Sequence, residues 1–186
     1  MKQPSAENLL EEDHAQVGEL IAQLCASLDA RDVERSFARL DLVWARLAVH
    51  IRAEHLCLFP AMLEAAGQDS IRQAASPRLD EAQSIVNELR SDHDFFMDEL
   101  ASAVKMMREI KGSEDSGVTD ERLREVRRMV IMLKERLEKH NRLEEEQVYR
   151  WPAALSNSQE RAQLAERVQG ELENMPPRFT GHSQAG

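Results

Sequence analysis

Apolar residues recur along the chain at steps of three and four in four long stretches, the spacing that puts them on one face of an α-helix. The first stripe, Leu10, His14, Val17, Ile21, Leu24 and Leu28, predicts a helix over roughly 8–28, with Ser5 or Asn8 able to cap its start. After the polar turn Asp29-Ala30-Arg31-Asp32, a second stripe runs Leu40, Val43, Leu47, His50, Glu54, Cys57 and Ala61 to a stop at Gly67. Pro60 is expected to kink that helix or end its regular part. Residues 67–77 read as a loop with at most one short turn, and Asp80 is the expected cap of a third helix carrying Ile85, Leu89, His93, Phe96, Leu100, Val104 and Met107. A loop over 112–117 leads to a fourth helix, capped by Thr119, with the stripe Val126, Val130, Leu133, Leu137, His140, Glu144 and Val148, closed by Pro152.

A polar segment over about 157–174 has only Leu164, Val168 and Leu172 in a narrow stripe, so it predicts a short helix packed on the outside. The tail 176–186, with His182 in it, reads as disordered. Short connections between long amphipathic helices favour antiparallel neighbours. The expected fold is therefore all-α: an up-down-up-down antiparallel four-helix bundle with a short C-terminal extra helix. One domain over 1–175, with its core in 8–152, accounts for the pattern.

Composition agrees with this. The 186 residues are 42% hydrophobic and 31% charged, as in a soluble single domain, and the 4% aromatic content favours helices over strands. A net charge of −10 argues against a phosphate-binding surface, so neither DNA nor RNA is an expected partner. The basic run from Arg122 to Arg128 is interrupted by Glu125 and preceded by Glu121, which reads as a solvated helix face. The first seven residues lack the apolar core of a signal peptide, and no apolar run approaches the ~20 residues that span a bilayer. A cytoplasmic location without a membrane partner is the default expectation. In an antiparallel bundle Cys25 and Cys57 would lie about 25 Å apart, so both are expected as reduced thiols.

The candidate chemistry lies inside the stripes. His50-Ile-Arg-Ala-Glu54 and His140-Asn-Arg-Leu-Glu144 repeat one motif, and each follows a lone histidine, His14 or His93, on the preceding long helix. All six occupy positions that otherwise hold Leu, Val, Ile, Phe and Met. An ionised carboxylate in an apolar core costs several kcal/mol unless it is paired or binds a cation, and no Lys or Arg shares these stripes. A single His-x-x-x-Glu pair is ordinarily a hydrogen-bonded core pair. Six polar intrusions from four helices at one level point instead to metal. Imidazole and carboxylate without thiolate suit Fe, Zn, Mn or Ni and exclude an all-oxygen Ca²⁺ or Mg²⁺ cage. Two carboxylates among six ligands are too few for two separate closed sites, so carboxylates shared by two metals are the natural arrangement.

Asp13-His14, His50-x-x-x-Glu54 followed by Leu58-Phe59-Pro60, Asp92-His93, and His140-x-x-x-Glu144-Glu145-Glu146-x-Val148-Tyr149 resemble the hemerythrin-like (HHE cation-binding) family over about residues 8–152. The resemblance implies a non-haem di-iron centre with an oxo or hydroxo bridge, zinc or manganese being possible substitutes. His14 and His50 would hold one iron and His93 and His140 the other, with Glu54 and Glu144 bridging. The oxygen-carrying branch differs: it has a fifth histidine where this chain has Met97, and a fourth-helix aspartate in place of Glu144. The symmetric four-histidine pattern is more similar to the bacterial iron-centre repair proteins (Ric) and to nitric-oxide-binding members. The cysteine-bearing N-terminal segment of many repair proteins has no counterpart here.

Around the six, His55 lies about 100° from Glu54 on a regular helix and is expected at the rim. Glu145 competes with Glu144, and the first repeat favours Glu144; Glu146 is expected in solvent. Phe96 and Met97 either line a ligand pocket or simply pack. Asp13 and Asp92 either support the ligand histidines or face solvent. Tyr149, Trp44 and Trp151 carry no assigned role. The expected function is binding of O₂, NO or peroxide at open iron positions, in sensing or scavenging NO or in the oxidative stress response. Three other readings stay open: an enzyme using the same centre as a peroxide or NO reductase or ferroxidase, an iron donor for cluster repair, and a metal-free helical interaction module.

Overall fold

The computed structural model describes residues 4–67, 78–112, 116–149, 151 and 157–178. The four long helices are α1 (Ala6–Asp29), α2 (Val33–Ala53), α4 (Leu79–Lys111) and α5 (Ser116–Leu143), with α3 (Phe59–Gly67) continuing from α2 and α6 (Ser158–Glu173) following α5. Ser5 caps α1 by accepting from the Asn8 N–H at 3.3 Å, and Asp32 caps α2 by accepting from the Arg35 N–H at 3.0 Å. Between these helices the chain reverses tightly, with Arg31 in the left-handed region at φ 56°.

The ion pairs fix the helix directions. Asp13 near the start of α1 meets His50 near the end of α2, and these helices join at the far end through residues 30–32. Lys111 at the end of α4 reaches Glu34 at the start of α2, while His93 faces Glu54. Glu109 pairs with Arg122 and Asp92 with Arg136, so α4 and α5 are antiparallel as well. Asp29 pairs with Arg127 while His14 meets Glu145, which closes the ring between α1 and α5. The result is the expected antiparallel four-helix bundle, and α6 lies against α1 and α2.

Some local expectations need correction. The third long helix starts at Leu79 with Arg78 as its cap position, where Glu81 accepts from the Arg78 N–H at 3.1 Å; Asp80 lies within the first turn. The fourth starts at Ser116, so Thr119 lies inside it. Pro60 lies in the first turn of α3 and does not end the helix. A proline has no N–H for the carbonyl four residues earlier. Here that carbonyl, Leu56 O, accepts from Arg167 Nη2 of α6 at 2.8 Å. Arg178, at the start of the tail, pairs with the fully buried Asp41 at 3.3 Å. The loop expected after Gly67, the Pro152 stop and the tail beyond Arg178 with His182 lie outside the described residues.

The core is divided in two. One apolar layer packs Val17, Leu24, Leu40, Leu47, Phe96, Leu100, Met107, Val126 and Leu133 towards the α1–α2 turn. The other packs Leu10, Leu58, Phe59, Met62, Val86, Leu89, Val148 and Trp151 under α6, through Leu164, Val168 and Leu172. His14, His50, Glu54, His93, His140 and Glu144 are all buried and form the polar level between them. Both cysteines are free, Cys57 buried and Cys25 partly so. No helix of the described residues is long and apolar enough to cross a membrane.

Because Leu40 is fully buried in the layer remote from this polar level, Leu40→Ala should destabilise the fold by about 2–5 kcal/mol while leaving metal stoichiometry unchanged. Denaturant melts and metal analysis of the same preparation check both halves of that expectation.

Candidate metal centre

Each His-x-x-x-Glu motif ends in the same local distortion. A π-helical turn begins at Glu54 and runs to Leu58, and a second begins at Glu144 and runs to Val148. In each, the glutamate carbonyl accepts from the N–H five residues on, Phe59 in the first and Tyr149 in the second. Such single wide turns inside α-helices are frequent at functional sites. Here they rotate the residues after each glutamate, so that Phe59 and Tyr149 come alongside the polar level.

The six predicted residues come together as two groups that share both glutamates: His14, His50, Glu54 and Glu144, and Glu54, His93, His140 and Glu144. Within each group one donor atom per residue lies within 4.8 Å of all the others. His14 Nε2 is 3.2 Å from His50 Nε2, and His93 Nε2 is 3.0 Å from His140 Nε2. Each glutamate divides its oxygens between the groups. Glu54 presents Oε1 to His50 at 3.4 Å and Oε2 to His93 at 3.2 Å. Glu144 presents Oε2 to His14 and Oε1 to His140, each at 3.2 Å.

The opposite ring nitrogens show what this arrangement is for. His50 Nδ1–H donates to Asp13 at 2.9 Å, His14 Nδ1–H to Glu145 at 2.9 Å and His140 Nδ1–H to Asp92 at 3.1 Å. A carboxylate at Nδ1 holds a proton there and leaves Nε2 as a lone pair, the tautomer of a metal-bound histidine. Two such lone pairs facing each other at 3.2 Å, with carboxylate oxygens beside them, repel unless a proton or a cation sits between. Glu54 Oε2 and Glu144 Oε1 make no hydrogen bond although both are buried. The donor set fits a pair of metal ions.

Without metal, the electrostatics of the cluster favour protons in that place. Burial works against a charged imidazole at His50, but Glu54 and Asp13 outweigh it and hold its pKa well above the ordinary value. His140 moves the same way, burial being overcome by Glu144, Glu54 and Asp92. Burial favours a neutral Glu54, yet His50 and His93 hold it well below the usual carboxylate range. The Tyr149 phenol is pushed well above its ordinary value by burial and by Glu144 and Glu54.

Asp13 and Asp92, residues for which two readings stood open, are supports. Each immediately precedes a histidine of its own helix and holds the histidine of the next one, and each is paired with an arginine, Arg46 or Arg136. Glu145 touches the outer nitrogen of His14 and Glu144 faces inward, as the repeat predicts. His55 belongs to neither donor group. It is half-buried, and its Nε2 lies 2.9 Å from His93 Nδ1, the nitrogen that points away from the donors. Phe96 stands edge-on to the His140 ring at 5.2 Å, while Met97 packs against the apolar layer. Trp44 and Trp151 pack in the two apolar layers.

Tyr149 is the residue that sequence reasoning missed. Its hydroxyl lies 3.0 Å from Glu54 Oε1, 3.1 Å from His14 Nε2 and 3.4 Å from Glu144 Oε2. On a regular helix, five residues after Glu144 is well off the inward face. The signal that could have found it was the equivalence of Tyr149 to Phe59, five residues after Glu54, in a repeat already recognised.

Fold and site together define a metal-binding four-helix bundle protein whose buried histidines and glutamates form two connected donor groups. The family model of the hemerythrin HHE cation binding domain matches residues 5–152, and the chain belongs to that family. The matched span ends before α6. No curated protein and no solved structure matches the chain.

Two outcomes are expected. Asp13→Asn, which removes the carboxylate behind His50, should weaken metal affinity about 10–100-fold in chelator competition; unchanged affinity would show that Asp13 has no such role. In chelator-treated protein, the stability contributed by the raised pKa values of His50 and His140 is complete below about pH 6.5 and is lost as pH rises through their folded values. The metal-free melting temperature should therefore fall as pH rises above about 6.5, whereas metal affinity, which competes with the same protons, should rise. Calorimetry across that range checks it, and a flat metal-free profile rejects it.

Proposed function

We propose that this chain is a non-haem di-iron protein that binds a small oxidant or diatomic ligand, O₂, NO or peroxide. His14 and His50 would hold one iron and His93 and His140 the other, with Glu54 and Glu144 bridging through the oxygens that face each pair. The observation that carries the reading is the donor count: two imidazoles and a share of two carboxylates give each metal four protein donors. That leaves positions for an exogenous ligand, as metal sites that act on substrates require.

Iron is favoured over zinc, with manganese the nearer substitute, because carboxylate-bridged pairs inside four-helix bundles are typically di-iron or di-manganese and because iron, unlike zinc, supplies one-electron chemistry when bound. The side chains do the rest. Asp13, Asp92 and Glu145 orient three imidazoles, and the two glutamates hold the metals together. The apolar layers above and below keep bulk water from the buried donors. The four-histidine set, with Met97 in place of a fifth, supports NO sensing or scavenging over reversible O₂ carriage.

Metal analysis of freshly purified protein should give two irons per chain, and anaerobic addition of NO to the ferrous form should change its visible spectrum. His50→Ala and His140→Ala should each lower iron content substantially. Colourless protein that takes up no Fe(II), or variants with unchanged iron, would overturn the assignment. One binding event per iron pair is the expected stoichiometry of response, and repeated turnover with a reductant would make the protein an enzyme.

A further inference from the structure

The six-residue set is symmetric, but the residues five positions after its two glutamates are not. Tyr149 ends one π turn and Phe59 is its counterpart at the other. Their rings are placed alike. Tyr149 stacks on His14 with centroids 5.6 Å apart and planes at 23°, and Phe59 stacks on His93 at 6.0 Å and 11°. One ring carries an oxygen into the donor cluster and the other carries none.

The spacing of that oxygen is informative. Two donors bound to one ion at about 2.1 Å and at right angles to each other lie about 3.0 Å apart. The four donor atoms of the His14 group follow this pattern, with neighbouring contacts of 3.2 to 3.4 Å. Tyr149 Oη meets three of them at 3.0, 3.1 and 3.4 Å, the separation of a further donor to the same ion. The phenol is also held in place, since its ring is buried in the apolar layer under α6 and its N–H bonds Glu144 O at 2.8 Å.

Around the His93 group, by contrast, the neighbouring rings are Phe59, stacked on His93, and Phe96, edge-on to His140. His55 contacts the outer nitrogen of His93, away from the donor cluster. A ligand arriving at this end meets hydrocarbon walls, which suit a small neutral molecule.

We propose that Tyr149 is a fifth protein donor to the metal held by His14 and His50, so that small ligands bind at the metal held by His93 and His140. This rests on the di-iron reading above. It makes the two halves of a repeated motif chemically unequal: one metal is closed by the protein, and the other is open and lined by phenylalanine.

The test uses full-length protein loaded with iron and oxidised to the ferric state. Wild type should show a visible tyrosinate-to-iron(III) charge-transfer band, with tyrosine ring modes enhanced in resonance Raman. Tyr149→Phe should lose both while keeping two irons per chain, and in the ferrous form its NO stoichiometry should rise from one to two per iron pair. Phe59→Tyr should add a second phenol, strengthen the band and reduce NO binding. Two irons without a tyrosinate signature, or a signature that survives in Tyr149→Phe, overturns the tyrosine assignment alone. Wild-type protein that binds no iron overturns that assignment together with the di-iron reading.

Discussion

Everything in this structure is arranged around two carboxylates and four imidazoles buried at one level of an otherwise apolar bundle. Such groups cost several kcal/mol each to bury, and hydrogen bonds among them cannot satisfy all of them, because three imidazoles already give their Nδ1 protons outward. The inward nitrogens and oxygens share a need that only protons or cations meet. The raised pKa values of His50 and His140 favour protons in that place in the metal-free chain. Conservation of charge then ties metal uptake to proton release, and so to pH.

The bundle and its polar level were legible because both depend on periodicity. Helical stripes at steps of three and four place His14, His50, Glu54, His93, His140 and Glu144 on core faces, and antiparallel packing brings those faces to one height. Helix starts were less legible. Asp80 and Thr119 are good caps by type, but Arg78 with Glu81 sets the start of α4, and the chain enters α5 three residues before Thr119. Capping preferences differ by about 1 kcal/mol, so neighbouring polar residues compete on nearly equal terms.

What the sequence concealed follows from one departure from regular geometry. An α-helical wheel places Tyr149 off the inward face, and the π turn that starts at Glu144 brings its hydroxyl to the donors. There the chain carries one residue more per turn than the wheel allows, which shifts everything after each glutamate. Asp13 and Asp92 were ambiguous for a different reason. Each supports a histidine on the neighbouring helix, a relation that depends on packing and leaves no spacing signal within one helix.

The helix beyond the matched family span belongs to the same physical system. Arg46 of α2 donates to the Leu172 carbonyl of α6 at 3.1 Å and pairs with Asp13, which in turn accepts the Nδ1 proton of His50. Arg52 reaches Glu171 at 2.6 Å, and Arg167 takes the Leu56 carbonyl that Pro60 leaves without its helical donor inside the first π turn. A buried donor cluster gains precision only when its supports are themselves fixed. By covering the Leu10, Met62 and Leu89 layer and gripping Arg46 and Leu56 from outside, α6 stabilises both the helix that carries His50 and the distortion that follows Glu54. The short outer helix thus contacts both the arginine behind the Asp13–His50 pair and the turn that follows Glu54.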